Sequence, residues 1–425
     1  MRENRHRLCL ALTAAALIAS AGGGAMARVA AGPAQTGIDK QDFIQIQRGR
    51  YLATVGDCAA CHTLPGSGHE FAGGRPIETP FGLLVAPNIT PDPVTGIGAW
   101  TDQEFIDALT KGTGRGGAHL YPAMPYTYYT KITRADALAI RAYLNTVPAV
   151  HHVVKVDRLP FPFNIRAAMA VWDLLFFSPG TFHPAAGRSA DWNRGAYLTE
   201  GLGHCGLCHT PKNFLGGDRS GARLQGNVLQ GWLAPNITND ARRGIGSWSI
   251  EEIVAYLKTG HNRTGAATGP MSETLNFSTS RMRDADLRDI ALYLKDQPGQ
   301  SKADPPAPDA TTMKVGGKIY ADECSGCHTP DGKGIAGLFP ALDNSPAVQQ
   351  VDPTTLLRVV LRGARSVGTA GAPTASAMPQ FGWILDDAEV AAVLTYIRNS
   401  WGNRAPAVSA GEVGKARHAF VERND

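Results

Sequence analysis

The five-residue frame Cys-x-x-Cys-His occurs three times in this chain, as "CAACH" at 58–62, "CGLCH" at 205–209 and "CSGCH" at 324–328. Long stretches around the first two frames repeat at an offset of 147–150 residues: "APNITPDPVTGIGAWTDQEFIDALTKG" answers "APNITNDARRGIGSWSIEEIVAYLKTG", and "TRADALAIRAYLNTVP" answers "RDADLRDIALYLKDQP". A third, shorter copy runs from "VGGKIYADECSGCHT" to "DDAEVAAVLTYIRNSWG". A repeat constrains the fold strongly, because each copy must build the same local structure. Every copy reads as a helix entering the frame, a Gly- and Pro-rich loop region, and a closing amphipathic helix with apolar residues at i, i+3, i+4 and i+7. Tyr143, Tyr293 and Tyr396 hold similar places in the closing helices and read as core packing against the entering helix.

The frame itself admits zinc, a redox dithiol or covalent haem. Closed zinc sites need four ligands, usually from two paired half-sites, and three half-sites far apart in sequence make an awkward inventory. A dithiol needs no following histidine, and three free dithiols on an exported chain would tend to oxidise. Haem fits the spacing. On a helical turn residues i, i+3 and i+4 share a face, so Cys58, Cys61 and His62 can offer two sulfurs to vinyl groups and an imidazole to iron. The same holds for Cys205, Cys208 and His209, and for Cys324, Cys327 and His328, giving three covalently bound haem c groups.

A sixth ligand separates an electron carrier from an open catalytic iron. Met124 in "YPAMPY" and Met271 in "TGPMSE" each lie 66 residues after the first cysteine of their copy, and Met378 in "SAMPQF" lies 54 after its own. This shared register favours all three as axial ligands over gap-filling core residues, although Met271 is followed by Ser where the other two are followed by Pro. His69, His119, His151, His152, His204 and His261 read mostly as surface or loop residues. His204 is too near its own attachment helix to reach the opposite haem face. Support for an axial imidazole is readable only in the third copy, where Pro340 follows His328 by 12 residues and could offer its carbonyl.

Residues 1–27 combine a basic start, a short apolar run and a small-residue site ending at Ala27, which reads as a secretory signal peptide and implies export. The formal charge of +4 falls to about +2 without them, too little to argue for nucleic acid. The expected division is 28–150, 191–300 and 313–402 for three haem domains. An apolar connecting segment at 151–190, a Pro-rich linker at 301–312 and a polar tail at 403–425 complete it. The connecting segment is too short and too interrupted to span a bilayer. With Trp172, Phe176 and Phe177 it reads either as a strap across neighbouring domains or as a docking surface for a partner or the membrane interface. No nucleophile elbow, HExxH, phosphate loop or dinucleotide fingerprint is present, and "GTGRGG" at 112–117 reads as a flexible loop.

Three such copies with "APNITPD", "LYPAMPY" and "GHCGLCHTPKNFLGG" resemble the tri-haem cytochrome c subunits of membrane-bound bacterial dehydrogenases, the group serving quinone-linked alcohol and flavin-dependent gluconate, sorbitol and fructose dehydrogenases. The resemblance implies an all-α fold of three tandem class I-like cytochrome c domains with long loops. It implies the periplasmic face of the cytoplasmic membrane. It also implies a catalytic subunit of flavin or quinone type, a small third subunit, and ubiquinone as acceptor. The polar C-terminus departs from relatives that carry an apolar membrane-binding segment there. Two other readings stay open: a relay for a molybdenum hydroxylase acting on aldehydes or N-heterocycles, and a multi-haem peroxidase with an exchangeable site at Met271.

Overall fold

The computed structural model describes residues 43–154, 158–300 and 303–420; the expected signal segment lies outside them. Each repeat opens on an entry helix, Phe43–Val55, Ala190–Glu200 or Ala310–Ile319, and ends on a closing helix, Arg134–Leu144, Asp284–Lys295 or Asp387–Ile397. Side-chain caps start several of these helices where the sequence offers Ser, Thr or Asp. Thr133 accepts from the Asp136 N–H, Ser189 from Trp192 and Asp309 from Thr312, while Asp386 and Glu389 form a reciprocal capping box. Middle helices Asp102–Lys111 and Ile250–Thr259 carry matching boxes, Thr101/Glu104 and Ser249/Glu252, and stop at left-handed Gly112 and Gly260.

Entry and closing helices cross at a glycine in every repeat. A Cβ on Gly49 would lie 1.7 Å from the Ala139 carbonyl oxygen, one on Gly195 1.9 Å from that of Asp289, and one on Gly316 2.1 Å from that of Ala392. The helices therefore touch backbone to backbone. The closing-helix tyrosines pack inward beside the crossing: Tyr143 edge-on to Phe71, Tyr293 to Trp192, and Tyr396 against Tyr320.

The repeats make two cores. Apolar side chains of the first and second repeats merge into one cluster that includes Leu52, Ile140, Leu198 and Leu287, whereas the third builds its own around Tyr320, Leu357, Val390 and Leu394. Bonds exchanged between the first two repeats bind them together. Tyr51 of the first entry helix donates to Asp286 of the second closing helix at 2.5 Å, and Tyr197 of the second entry helix donates to Asp136 of the first closing helix, also at 2.5 Å. Each aspartate is held in turn by an arginine of its own repeat, Arg48 on Asp136 and Arg194 on Asp286, both at 2.7 Å.

Three features differ from the sequence reading. The chain is largely helical but not all-α: antiparallel hairpins pair Pro76–Thr79 with Gly82–Val85, Asn227–Leu229 with Trp232–Ala234, and Ala364–Arg365 with Ala377–Met378. Residues 403–420 are no free tail, since Val413 and Ala416 of helix Ala410–Ala419, and Phe420 just after it, enter the third core. These residues follow an i, i+3, i+7 spacing that the surrounding polar residues obscure. The fully buried Arg398 guanidinium clasps the carbonyls of Val348, Gln350 and Pro406, tying that stretch down; burial pushes its pKa to about 10, which leaves it charged. Lastly, the third entry helix already starts at Ala310, inside the expected linker.

Gly49→Val, Gly195→Val or Gly316→Val should each cost about 3 kcal/mol or more, because backbone must separate from backbone. Gly411→Ala, in open space on the last helix, should be neutral or slightly stabilising. Urea unfolding of the haem-loaded variants measures the difference.

Candidate haem sites

The first two frames form short helical turns, Cys58–His62 and Cys205–His209, entered through left-handed Asp57 (φ 54°) and His204 (φ 34°). In the third, a π-helical turn Tyr320–Cys324 runs straight into Ser325–His328. One arrangement recurs behind all three histidines. Nδ1 of His62 lies 2.7 Å from the Pro87 carbonyl oxygen, that of His209 2.7 Å from Pro235, and that of His328 3.1 Å from Pro340. An Nδ1–H donating to these carbonyls fixes ring orientation and tautomer and leaves Nε2 as the basic nitrogen.

A glycine completes each clasp. The N–H groups of Gly73, Gly226 and Gly334 donate to the carbonyls of His62, His209 and His328 at 2.8, 2.8 and 3.0 Å. All three glycines have positive φ, and each backs onto the proline it faces. The first two hairpins aim those carbonyls, since strands Gly82–Val85 and Trp232–Ala234 run directly into Ala86–Pro87 and Pro235. Sequence reading found Pro340 but missed Pro87 and Pro235, 25 and 26 residues from their histidines. The signal was present in the twice-repeated "APNIT" string, whose second residue is the proline.

Electrostatics favour neutral imidazoles and inert thiols. Burial lowers the pKa of His62, His209 and His328 against the opposing pull of the proline carbonyls. Burial raises Cys58 and Cys205 to about 12 and Cys208 and Cys324 to about 11. Redox-active dithiols require the opposite shift. Among the described residues the six frame cysteines form no disulfide, and no group of three or more His, Cys, Asp or Glu side chains gathers as a metal cluster.

The methionines are half-buried and differ in setting. Met124 sits in a bend, its N–H on the Tyr121 carbonyl, and packs on the same core as Cys58; Met378 sits in the third hairpin and packs on the same core as Cys324. Met271 instead occupies the first turn of helix Pro270–Phe277, behind Gly269, whose positive φ lets Trp232 approach. Trp232 is 6% exposed and its indole N–H is without a partner, a buried donor suited to a carboxylate such as haem carries. Among the other histidines, His151 is exposed, His152 bonds the Ala72 carbonyl, and His204 is half-buried beside Tyr129, its pKa pushed down to about 4 by loss of solvent around the ring.

Thiol pairs, pinned imidazoles and an orphan donor define a c-type cytochrome that holds haem c covalently. The cytochrome c family model matches residues 46–148 and 313–401. The gluconate 2-dehydrogenase cytochrome c subunit of Pantoea cypripedii is 39% identical across 89% of this chain and 91% of that protein. The cytochrome c subunit of quinone alcohol dehydrogenase from Gluconacetobacter polyoxogenes is 38% identical across 91% and 87%. One nicotinate dehydrogenase chain of Pseudomonas putida is 38% identical across 87% of this chain but only 31% of its own length. The chain belongs to the family of dehydrogenase cytochrome c subunits.

Alanine at the clasp glycines should rank by crowding. A Cβ on Gly73 or Gly334 would lie 2.4 or 2.3 Å from the proline-bearing backbone, against 3.1 Å at Gly226. Gly73→Ala and Gly334→Ala should therefore lower thermal stability clearly more than Gly226→Ala. They should also raise the potential of their own haem as the Nδ1 bond loosens. Differential scanning calorimetry and a spectroelectrochemical titration read the two effects.

Proposed function

We propose that this chain carries three haem c groups, one in each of 28–150, 191–300 and 313–402, and relays electrons from a catalytic dehydrogenase subunit to ubiquinone. The relay would work at the periplasmic face of the cytoplasmic membrane. The observation that carries the reading is the threefold recurrence of a paired-thiol turn whose imidazole is pinned through Nδ1 to a proline carbonyl. Haem supplies reversible one-electron chemistry; the chain's own residues hold and insulate it. Cys58 and Cys61, Cys205 and Cys208, and Cys324 and Cys327 would form the thioether links. His62 with Met124, His209 with Met271 and His328 with Met378 would cap the irons, closing them to substrate and favouring the ferrous state.

Packing supports an order for the relay. The first and second attachment turns lie against one another: Asp57 acts on both Cys61 and Cys208, and Tyr129 bonds the Gly56 carbonyl while stacking on His204. Arg75 grips Glu273 across the same junction at 2.6 and 2.7 Å. Between the second and third repeats the Met-side loops meet, with Thr369 donating to the Thr259 carbonyl and Val367 beside Gly260. This packing supports the second repeat as the middle station. Likeness to the gluconate and alcohol dehydrogenase subunits supports alcohols, sugars or sugar acids as the partner's substrates. Likeness to the nicotinate dehydrogenase chain supports a second reading, a partner that oxidises an N-heterocycle, and the large subunit that co-purifies separates the two.

A pyridine haemochrome assay should count three haems per chain, and two in Cys205→Ser/Cys208→Ser. Quinone reduction by the complex should fall more than about tenfold when that middle station is lost. A wild-type count of two, or unchanged quinone reduction in the variant, contradicts the relay. Met124→Leu and Met378→Leu should each remove a share of the near-infrared thioether-to-iron band and lower one haem potential. An unchanged band in Met271→Leu would identify the second haem as the one without a thioether.

A further inference from the structure

The connecting segment is clamped on one side and bare on the other. Facing the protein, Trp172 donates its indole N–H to the Leu215 carbonyl at 2.8 Å, Phe176 packs on Gly217, Asp173 accepts from Tyr126 at 2.6 Å, and Phe177 meets Tyr126 edge-on. This is the strap that the sequence allowed. Its outer side is a continuous apolar ridge: Val171, Leu174 and Leu175 on helix Met169–Phe176, Phe161 and Phe163 before it, and Phe214 on the loop beneath. Phe81 joins the parts, lying 5.0 Å from Phe163 and against Gly216.

We propose that this ridge seats in the headgroup and acyl boundary of an anionic lipid bilayer, an inference that rests on the membrane-facing relay and names the surface that meets the membrane. Shape supports lipid over a protein partner. Phe214, Leu174 and Phe161 are 87%, 83% and 78% exposed and stand proud on three separate segments. A fluid leaflet accepts such tips without a matching pocket, whereas protein interfaces fit side chains into one.

Charge points the same way. The sequence from 155 to 177 carries Lys155, Arg158 and Arg166 against Asp157 and Asp173, and Asp173 is largely covered and bonded to Tyr126; Asp218, beside the Phe214 loop, is paired with Lys212. Arg158 and Arg219 are exposed at either end of the ridge's segments, placed to meet anionic headgroups. The helix, eight residues long, rises only about 12 Å and so lies along an interface instead of crossing it. Among the described residues no helix is long and apolar enough to cross a membrane.

The test is co-sedimentation of the haem-loaded protein with vesicles of phosphatidylglycerol and phosphatidylethanolamine, compared with phosphatidylcholine alone. Wild type should pellet with the anionic vesicles. Leu174→Ser/Leu175→Ser/Phe214→Ser should lose about tenfold or more in partitioning, and Arg158→Glu/Arg219→Glu should weaken binding to anionic vesicles alone. Haem spectrum and circular dichroism should stay unchanged; if the triple variant misfolds, Leu174→Ser carries the same comparison. Wild type that stays in solution, or a triple variant that pellets equally, overturns the proposal. So does a variant that keeps vesicle binding but sheds the catalytic subunit, which would make the ridge a subunit interface. Quinone reduction in detergent reads the relay independently: its loss in wild type with vesicle binding intact sinks the relay and spares the lipid contact.

Discussion

A hydrogen bond from a histidine Nδ1 to a proline carbonyl organises each repeat. An axial imidazole must stay neutral, hold one tautomer and resist rotation, and a single fixed acceptor accomplishes all three. Proline suits the role because its restricted φ stiffens the chain that presents the carbonyl. The rest of the loop region serves that placement: a hairpin delivers Pro87 and another Pro235, and a left-handed glycine bonds the histidine's own carbonyl while making room for the proline. The long Gly- and Pro-rich stretches between the helices are thus a mount for one acceptor atom behind each ring.

How the mounts are joined decides what the molecule can do as a conductor. The first two repeats share apolar packing and trade tyrosines, Tyr51 reaching Asp286 and Tyr197 reaching Asp136, so their attachment turns are held at fixed separation. The third repeat meets the second through polar contacts, such as Arg263 with Asp343 at 2.7 Å and Thr355 with the Leu233 N–H at 2.8 Å. Trp232 lies where these arrangements touch, against Gly269 on one side and 5.0 Å from the Arg358 guanidinium on the other. The rigid pair and the polar joint have different mechanical characters, and the second repeat takes part in both.

Local chemistry was legible in the sequence; pairings across repeats were not. The paired-cysteine turns and the entry and closing helices could be read because each rests on near-neighbour spacing. Pro340 was found for the same reason, being 12 residues from His328, while Pro87 and Pro235 are separated from their histidines by a whole hairpin. The exchange of Tyr51 and Tyr197 has no local signature, since each would satisfy a single-repeat reading equally well. Helix Ala410–Ala419 was hidden by composition: a few apolar residues suffice there because Arg398 and the third core already wait for them.

The exchanged tyrosines also bear on how such a chain matures. Alone, the first repeat would leave Leu52, Ile140 and the carboxylate of Asp136 without the side chains that the second repeat packs against them. Tyr51 in turn finds Asp286 only on the second closing helix. Two repeats that share one core and trade hydrogen bonds in this way set together as one cooperative unit. The third repeat, with a core of its own, does not share that dependence.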